Sequence, residues 1–146
     1  MQPTSSQGSA RAFSQDFRIY YADTDAGGIV YHARYLEFAE RSRAEMLRHV
    51  GHPLLGPAGE QFVARAATLS WQRPARLDDL ITCRTTILHA RGASIRIRHA
   101  FLRQDEPLVE IQIDLVHVNS AIRPTRVPDA LRDKLAPFMA EGGPQG

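Results

Sequence analysis

Residues 21 to 37 read YADTDAGGIVYHARYLE, bringing two acids, two glycines and a histidine together with tyrosines between a strand-like and a helix-like run. Acids two positions apart with glycine behind them could be a metal loop, an aspartyl-phosphate phosphatase signature, a plain turn or a catalytic carboxylate. Asp23, Asp25 and Gly28 fall at positions one, three and six of a calcium loop, but Gly27 stands at position five. Position twelve, where a bidentate Glu belongs, is Arg34, and this rules the calcium loop out. A zinc site from Asp23, Asp25 and His32 has no second cluster of ligands to complete it.

The phosphatase reading needs one acid as nucleophile and its neighbour as general acid, after a strand. It also expects a hydroxyl or small apolar residue where Gly27 sits, and a later lysine. Lys134 is the one lysine of the chain and falls in a closing helix, and the strands that follow the motif pair antiparallel. Asp23 is read as a turn residue, since Asp and Gly populate turns for backbone reasons. Asp25 precedes a link that crowds polar groups close to the backbone, and it is the candidate for chemistry.

The elements that must position it follow from periodicity. FSQDFRIYY, Phe13 to Tyr21, alternates as a first strand, and ADTDAGG supplies turn chemistry, with glycines free to take positive φ. From Ala33 to His49 the apolar residues Tyr35, Leu36, Phe38, Ala39, Met46 and Leu47 recur at helical steps, and Gly51 and Pro53 stop the helix. Strands are expected at Gln61 to Gln72, Leu80 to His89, Ala93 to Arg103 and Leu108 to Val118. In SIRIRHAFLR, Ile95, Ile97 and Phe101 share one face and Arg96 and Arg98 the other. Short links at Arg91-Gly92 and Gln104 to Pro107 make the last three strands an antiparallel meander, and PDALRDKLAPF closes as a short helix. Strand, helix, then a run of strands is an α+β layout whose sheet needs its apolar face covered.

With 146 residues, 43% hydrophobic and 23% charged, the chain has the size and composition of one soluble domain. The small, polar segments 1–12 and 139–146 are expected as tails around a domain at 13–138. The net charge of +2 does not suit a polyanion-coating protein, and RIRHAFLR alone is too short to signal nucleic-acid binding. The lone Cys83 excludes an intramolecular disulfide, and no apolar run reaches membrane-spanning length, so a cytoplasmic protein without membrane insertion is expected.

YYADTDAGGIVYHARYLEFAERSRAEML resembles the opening of the 4-hydroxybenzoyl-CoA thioesterase family of hotdog-fold proteins, and within it the YbgC-like, Tol-Pal-associated branch of acyl-CoA thioesterases. FVARAATLSWQRPARLDDLITCRTTI and RGASIRIRHAFLR resemble the same branch, so the likeness spans roughly residues 15 to 128. It implies a hotdog fold, an antiparallel sheet of about five strands wrapped around one long central helix, assembled as a homodimer or homotetramer. It implies hydrolysis of acyl-CoA to free acid and CoA, with no metal or other cofactor. Because the fold also serves as a ligand-binding module, non-catalytic binding of acyl-CoA or an acyl-carrier protein stays open.

Residue by residue, Asp25 matches the family's catalytic aspartate, and Tyr21 and His32 match the tyrosine and histidine placed around it. Asp25 would attack the carbonyl or activate a water, and a free amide at the helix start, that of His32, would hold the oxyanion. Gly27 and Gly28 would let the chain pass close to the thioester, with Tyr31 beside them; turn-forming for the glycines and packing for Tyr31 and Tyr21 are the plainer readings. Glu37 and Glu40 suit a solvated helix face, and Arg96, Arg98 and Arg103 either meet CoA phosphates or line an exposed strand face. Phe62, Leu69 and Trp71 are candidates for a pocket floor, and His89, His99 and His117 carry no assignment.

Overall fold

The computed structural model describes residues 11–140, and most of both expected tails lies outside them. The chain folds as β1 (Phe13–Arg18), α1 (Arg34–His49), β2 (Gln61–Trp71), β3 (Leu80–Arg91), β4 (Ser94–Arg103), β5 (Glu106–Val118) and α2 (Asp129–Leu135), with short 3-10 turns at Tyr21–Asp23 and Ala136–Phe138. The five strands make one antiparallel sheet in the order β1-β3-β4-β5-β2. Met139 still bridges Ile87, and the Ala140 N–H donates to the Ile87 carbonyl at 2.7 Å.

Period-two alternation decides the inner face. Ile81, Cys83, Thr85 and Ile87 on β3, Ile95, Ile97, His99 and Phe101 on β4, and Val109, Ile111, Ile113 and Leu115 on β5 are all buried. The register stacks them in rows: Cys83 opposite Phe101 and then Val109, Thr85 opposite His99 and then Ile111. α1 lays Tyr35, Phe38, Ala39, Ser42 and Met46 onto this face at steps of three and four. Phe17 stacks on Phe38 at 4.7 Å between ring centroids, and Tyr35 meets Phe101 edge-on at 5.4 Å.

The helix that covers the sheet has 16 residues, so the long central helix expected is a shorter one. Its end has a local cause, since Gly51 takes φ +80° and turns the chain away while the His52 N–H closes back on the Leu47 carbonyl at 2.9 Å. Leu36, expected in the apolar stripe, is 37% exposed, and Ser42 is buried in its place. β1 stops at Arg18, three residues earlier than its alternation suggested. Asp23 causes this: its Oδ2 accepts the Tyr20 N–H at 2.9 Å and starts the 3-10 turn.

Candidate active site

The loop between β1 and α1 is held by backbone hydrogen bonds. The Asp25 N–H donates to the Ile29 carbonyl at 2.9 Å, and the Gly28 N–H closes a turn on the Asp25 carbonyl at 3.0 Å. Gly28 sits at φ +80°, a conformation that L side chains adopt only with strain. A second loop buttresses the first. The Val30 N–H donates to the Ala75 carbonyl at 2.9 Å, and the Leu77 N–H to the Gly28 carbonyl at 3.2 Å. Ala75 is wholly buried, and its own N–H donates to the Tyr35 hydroxyl at 3.3 Å. Burial pushes the Tyr35 hydroxyl pKa above its ordinary value. One tyrosine of α1 thus ties the helix start to both loops.

In that frame Asp25 is exposed, and its Oδ1 accepts the Gly27 N–H at 2.9 Å. Oδ2 has no hydrogen-bond donor among the described residues, so half of the carboxylate is open to water or a ligand. Gly27 lies beside it: a Cβ there would stand 3.4 Å from Asp25 Oδ1, in van der Waals contact. The Tyr31 N–H is taken by the Asp23 carbonyl at 3.0 Å, and the Arg34 N–H by the Tyr31 carbonyl at 2.8 Å. Between them, the His32 and Ala33 N–H groups have no acceptor among the described residues. They lie just ahead of α1, where the helix start carries partial positive charge.

The other expected residues are near in sequence but are not joined to Asp25. Among the described residues no hydrogen bond links Asp25 to Tyr21 or His32. Tyr21 is 80% exposed, far from a core position, and its carbonyl accepts both the N–H and the hydroxyl of Thr24. The His32 ring packs on Tyr31, with centroids 4.6 Å apart, and meets Trp71 edge-on at 6.0 Å. Trp71 therefore stands beside the loop, and Phe62 lines a cavity farther down β2. Among the described residues no group of three or more His, Cys, Asp or Glu side chains converges as a metal site would.

Arg34 escaped the sequence reading except as a failed calcium ligand. As the first residue of α1 it donates to the Ala22 carbonyl at 2.7 Å and to Glu37 at 2.5 Å, and its Nε stands 3.5 Å from Asp23. Asp23 and Arg34 together clamp the 3-10 turn against the helix, which confirms the turn role read for Asp23. The available signal was Glu37 three residues after Arg34 at a helix start.

Comparison with known proteins agrees with this architecture. The family model of the thioesterase-like superfamily matches residues 20–135. An acyl-CoA thioester hydrolase YbgC of Escherichia coli O157:H7 is 37% identical over 123 residues, covering 82% of this chain and 92% of that protein. The acyl-CoA thioesterase YbgC of Haemophilus influenzae is 35% identical over 124 residues, covering 82% and 91%. Among solved structures, a probable thioesterase from Bartonella henselae superposes with a TM-score of 0.74 at 36% identity, covering 81% of this chain and 99% of its own. The sheet order and covering helix are those of the hotdog-type thioesterase fold. The chain belongs to the thioesterase-like superfamily and, within it, is a YbgC-like thioesterase.

Proposed function

We propose that this protein hydrolyses acyl-CoA thioesters to a free acid and CoA, with Asp25 as the residue that acts on the thioester. The observation that carries the reading is that one short loop ending at α1 holds both an exposed, half-open Asp25 carboxylate and an unbonded His32 N–H. A thioester carbonyl oxygen bound at that amide gains a donor as its negative charge develops, in the field of the helix start. Asp25 then follows one of two courses. As nucleophile its carboxylate oxygen bonds to the carbonyl carbon, the C–S bond breaks, CoA leaves as thiolate, and water cleaves the mixed anhydride. As general base it takes a proton from water, the hydroxide so formed bonds to the carbonyl carbon, and the C–S bond breaks to release the thiolate. His32 and Tyr21, both exposed beside the loop, orient the substrate; Gly27, Gly28 and Tyr31 shape its approach.

The homologous YbgC proteins, named for acyl-CoA thioester hydrolysis, support the substrate class. We read the sheet as wrapped around α1 and the assembly as a homodimer or homotetramer. The outer edge of β2 has no partner strand among the described residues, and Ala64 to Thr68 along it are exposed. Such an edge invites pairing with a second copy. No helix of the described residues is long and apolar enough to cross a membrane, and we assign the protein to the cytoplasm. Acyl-carrier protein is the second acyl donor proposed.

The test is thiol release, followed colorimetrically, from acyl-CoAs of graded length and one aromatic acyl-CoA. Turnover on any of them supports hydrolysis. Binding of acyl-CoA or acyl-carrier protein without release of thiol would replace the enzyme with a binding module.

A further inference from the structure

Arg43 and, one turn before it, Glu40 line a cavity of about 430 Å³ between α1 and strands β2, β4 and β5, in the company of Met46, Phe62, Ile97 and Leu115. The volume is that of a small-molecule site, roughly 300–1,000 Å³. A guanidinium is an unusual wall for such a space. Arg34, Arg48, Arg73, Arg96, Arg103 and Arg126 each pair with a carboxylate, and Arg41, Arg65, Arg84 and Arg91 are exposed to water. Arg43, like Arg98 on β4, is partly buried and has no carboxylate partner among the described residues, and of the two it is Arg43 that lines this cavity. Its recorded contact is His99 Nε2 at 3.4 Å, and His99 Nδ1 lies 2.9 Å from the Thr85 hydroxyl. His99 is fully buried, its pKa lowered to about 3 first by desolvation and then by the Arg43 charge, so it is neutral and offers no counter-charge. Desolvation lowers the Arg43 pKa as well, while Glu40, one turn back, acts on it only through space. Five N–H donors thus meet one long contact among the described residues, on a side chain that lines the cavity.

The cavity lies along the same helix whose start holds the His32 amide. Nine residues separate Arg34 from Arg43, about 14 Å of helix, and side chains lean back toward the helix start. Counted from His32, two residues before Arg34, a guanidinium there stands roughly 10–16 Å from the oxyanion position, a span bridged by an extended acyl chain of roughly eight to twelve carbons.

We propose that this cavity receives the far end of the acyl group and that Arg43 selects chains ending in a carboxylate, the CoA monothioesters of medium-length dicarboxylic acids. The proposal rests on the thioesterase reading and adds to it a specificity residue and a substrate class. A charge-assisted hydrogen bond to a chain-end carboxylate would give the guanidinium the acceptor that the protein withholds. A neutral chain of the same length would leave it unpaired.

The experiment compares octanoyl-CoA with the mono-CoA thioester of octanedioic acid in the native protein, Arg43→Met and Arg43→Lys, with melting temperatures to confirm the fold. The native protein is expected to favour the carboxylate-ended ester about tenfold or more in kcat/KM, chiefly through KM. Arg43→Met loses that preference while its rate on octanoyl-CoA stays within a few-fold, and Arg43→Lys recovers part of it. A native protein without the preference, or a folded Arg43→Met that keeps it, overturns the proposal. Calorimetric binding of both esters to Asp25→Asn, and to Asp25→Asn carrying Arg43→Met, reads the preference without turnover. A failure of hydrolysis is thereby kept apart from a failure of Arg43.

Discussion

On the sheet-facing side of α1, Tyr35, Phe38, Ala39 and Met46 are each no more than 2% exposed, while a few residues upstream Tyr21 is 80% exposed and Asp25 also stands in solvent. The two regions are contiguous in the chain and are fixed by different forces. The first is held by apolar burial and close packing, which is non-directional and tolerates only small changes of volume. The second is held by directional bonds: the amides of Asp25, Gly27, Gly28, Val30 and Tyr31 each have a named acceptor, and the His32 and Ala33 amides between Tyr31 and the helix are left open among the described residues. Tyr35 belongs to both regions, with its ring in the core and its hydroxyl on the loop buttress. A site exposed enough to meet a thioester is thus positioned by an element that is not exposed at all.

Substitutions that strike one region and spare the other sharpen the contrast. Phe101→Ala empties the place where Tyr35 and Phe38 converge. It is expected to cost about 3–5 kcal/mol in urea unfolding, while the molecules still folded keep their kcat. An equal loss of kcat at temperatures where the protein is fully folded would mean that the core does more than support the loop.

His99 tests the core with pH. Its pKa is about 3 in the folded protein against 6.5 in the unfolded chain, first through desolvation. Above 6.5 both states hold it neutral and its contribution is complete; as pH falls from 6.5 toward 3 the unfolded chain takes up a proton that the folded one refuses, and stability is lost. Between pH 7 and 4.5 this group accounts for up to about 3 kcal/mol. The difference between unfolding free energies at those two pH values should shrink in His99→Gln. An unchanged difference would show that the imidazole is not held neutral.

The smallest effect is expected at the residue shared by the two regions. Tyr35→Phe keeps the ring and strands the buried Ala75 N–H, at a cost of about 1–3 kcal/mol. Loss of the buttress should also lower kcat several-fold. Full activity with lowered stability would confine Tyr35 to the core.

The core was legible because its signals are periodic. Ile95, Ile97 and Phe101 alternate along β4 as read, and α1 keeps its expected end at His49. Where the periodic reading slipped, position on the helix outweighed residue type: Leu36 leans toward the exposed side, and Ser42 takes the buried one. The loop was legible as a place but not as a geometry. Asp25 and the glycines could be singled out by type and spacing, whereas the exposure of Tyr21, the Arg34 clamp and the Ala75 buttress depend on contacts between residues far apart in sequence or on backbone angles. His99 gave no sign of its neutrality, which comes from the burial around it.

The most direct measurement is kcat/KM for acyl-CoA hydrolysis by the native protein beside Asp25→Asn, with both melting curves. The variant keeps the side-chain size and an acceptor for the Gly27 N–H, so its melting temperature should match the native one within a few degrees. Its kcat/KM should fall by about 100- to 10,000-fold. Equal rates in the two proteins, both folded, would contradict the assignment of the chemistry to Asp25.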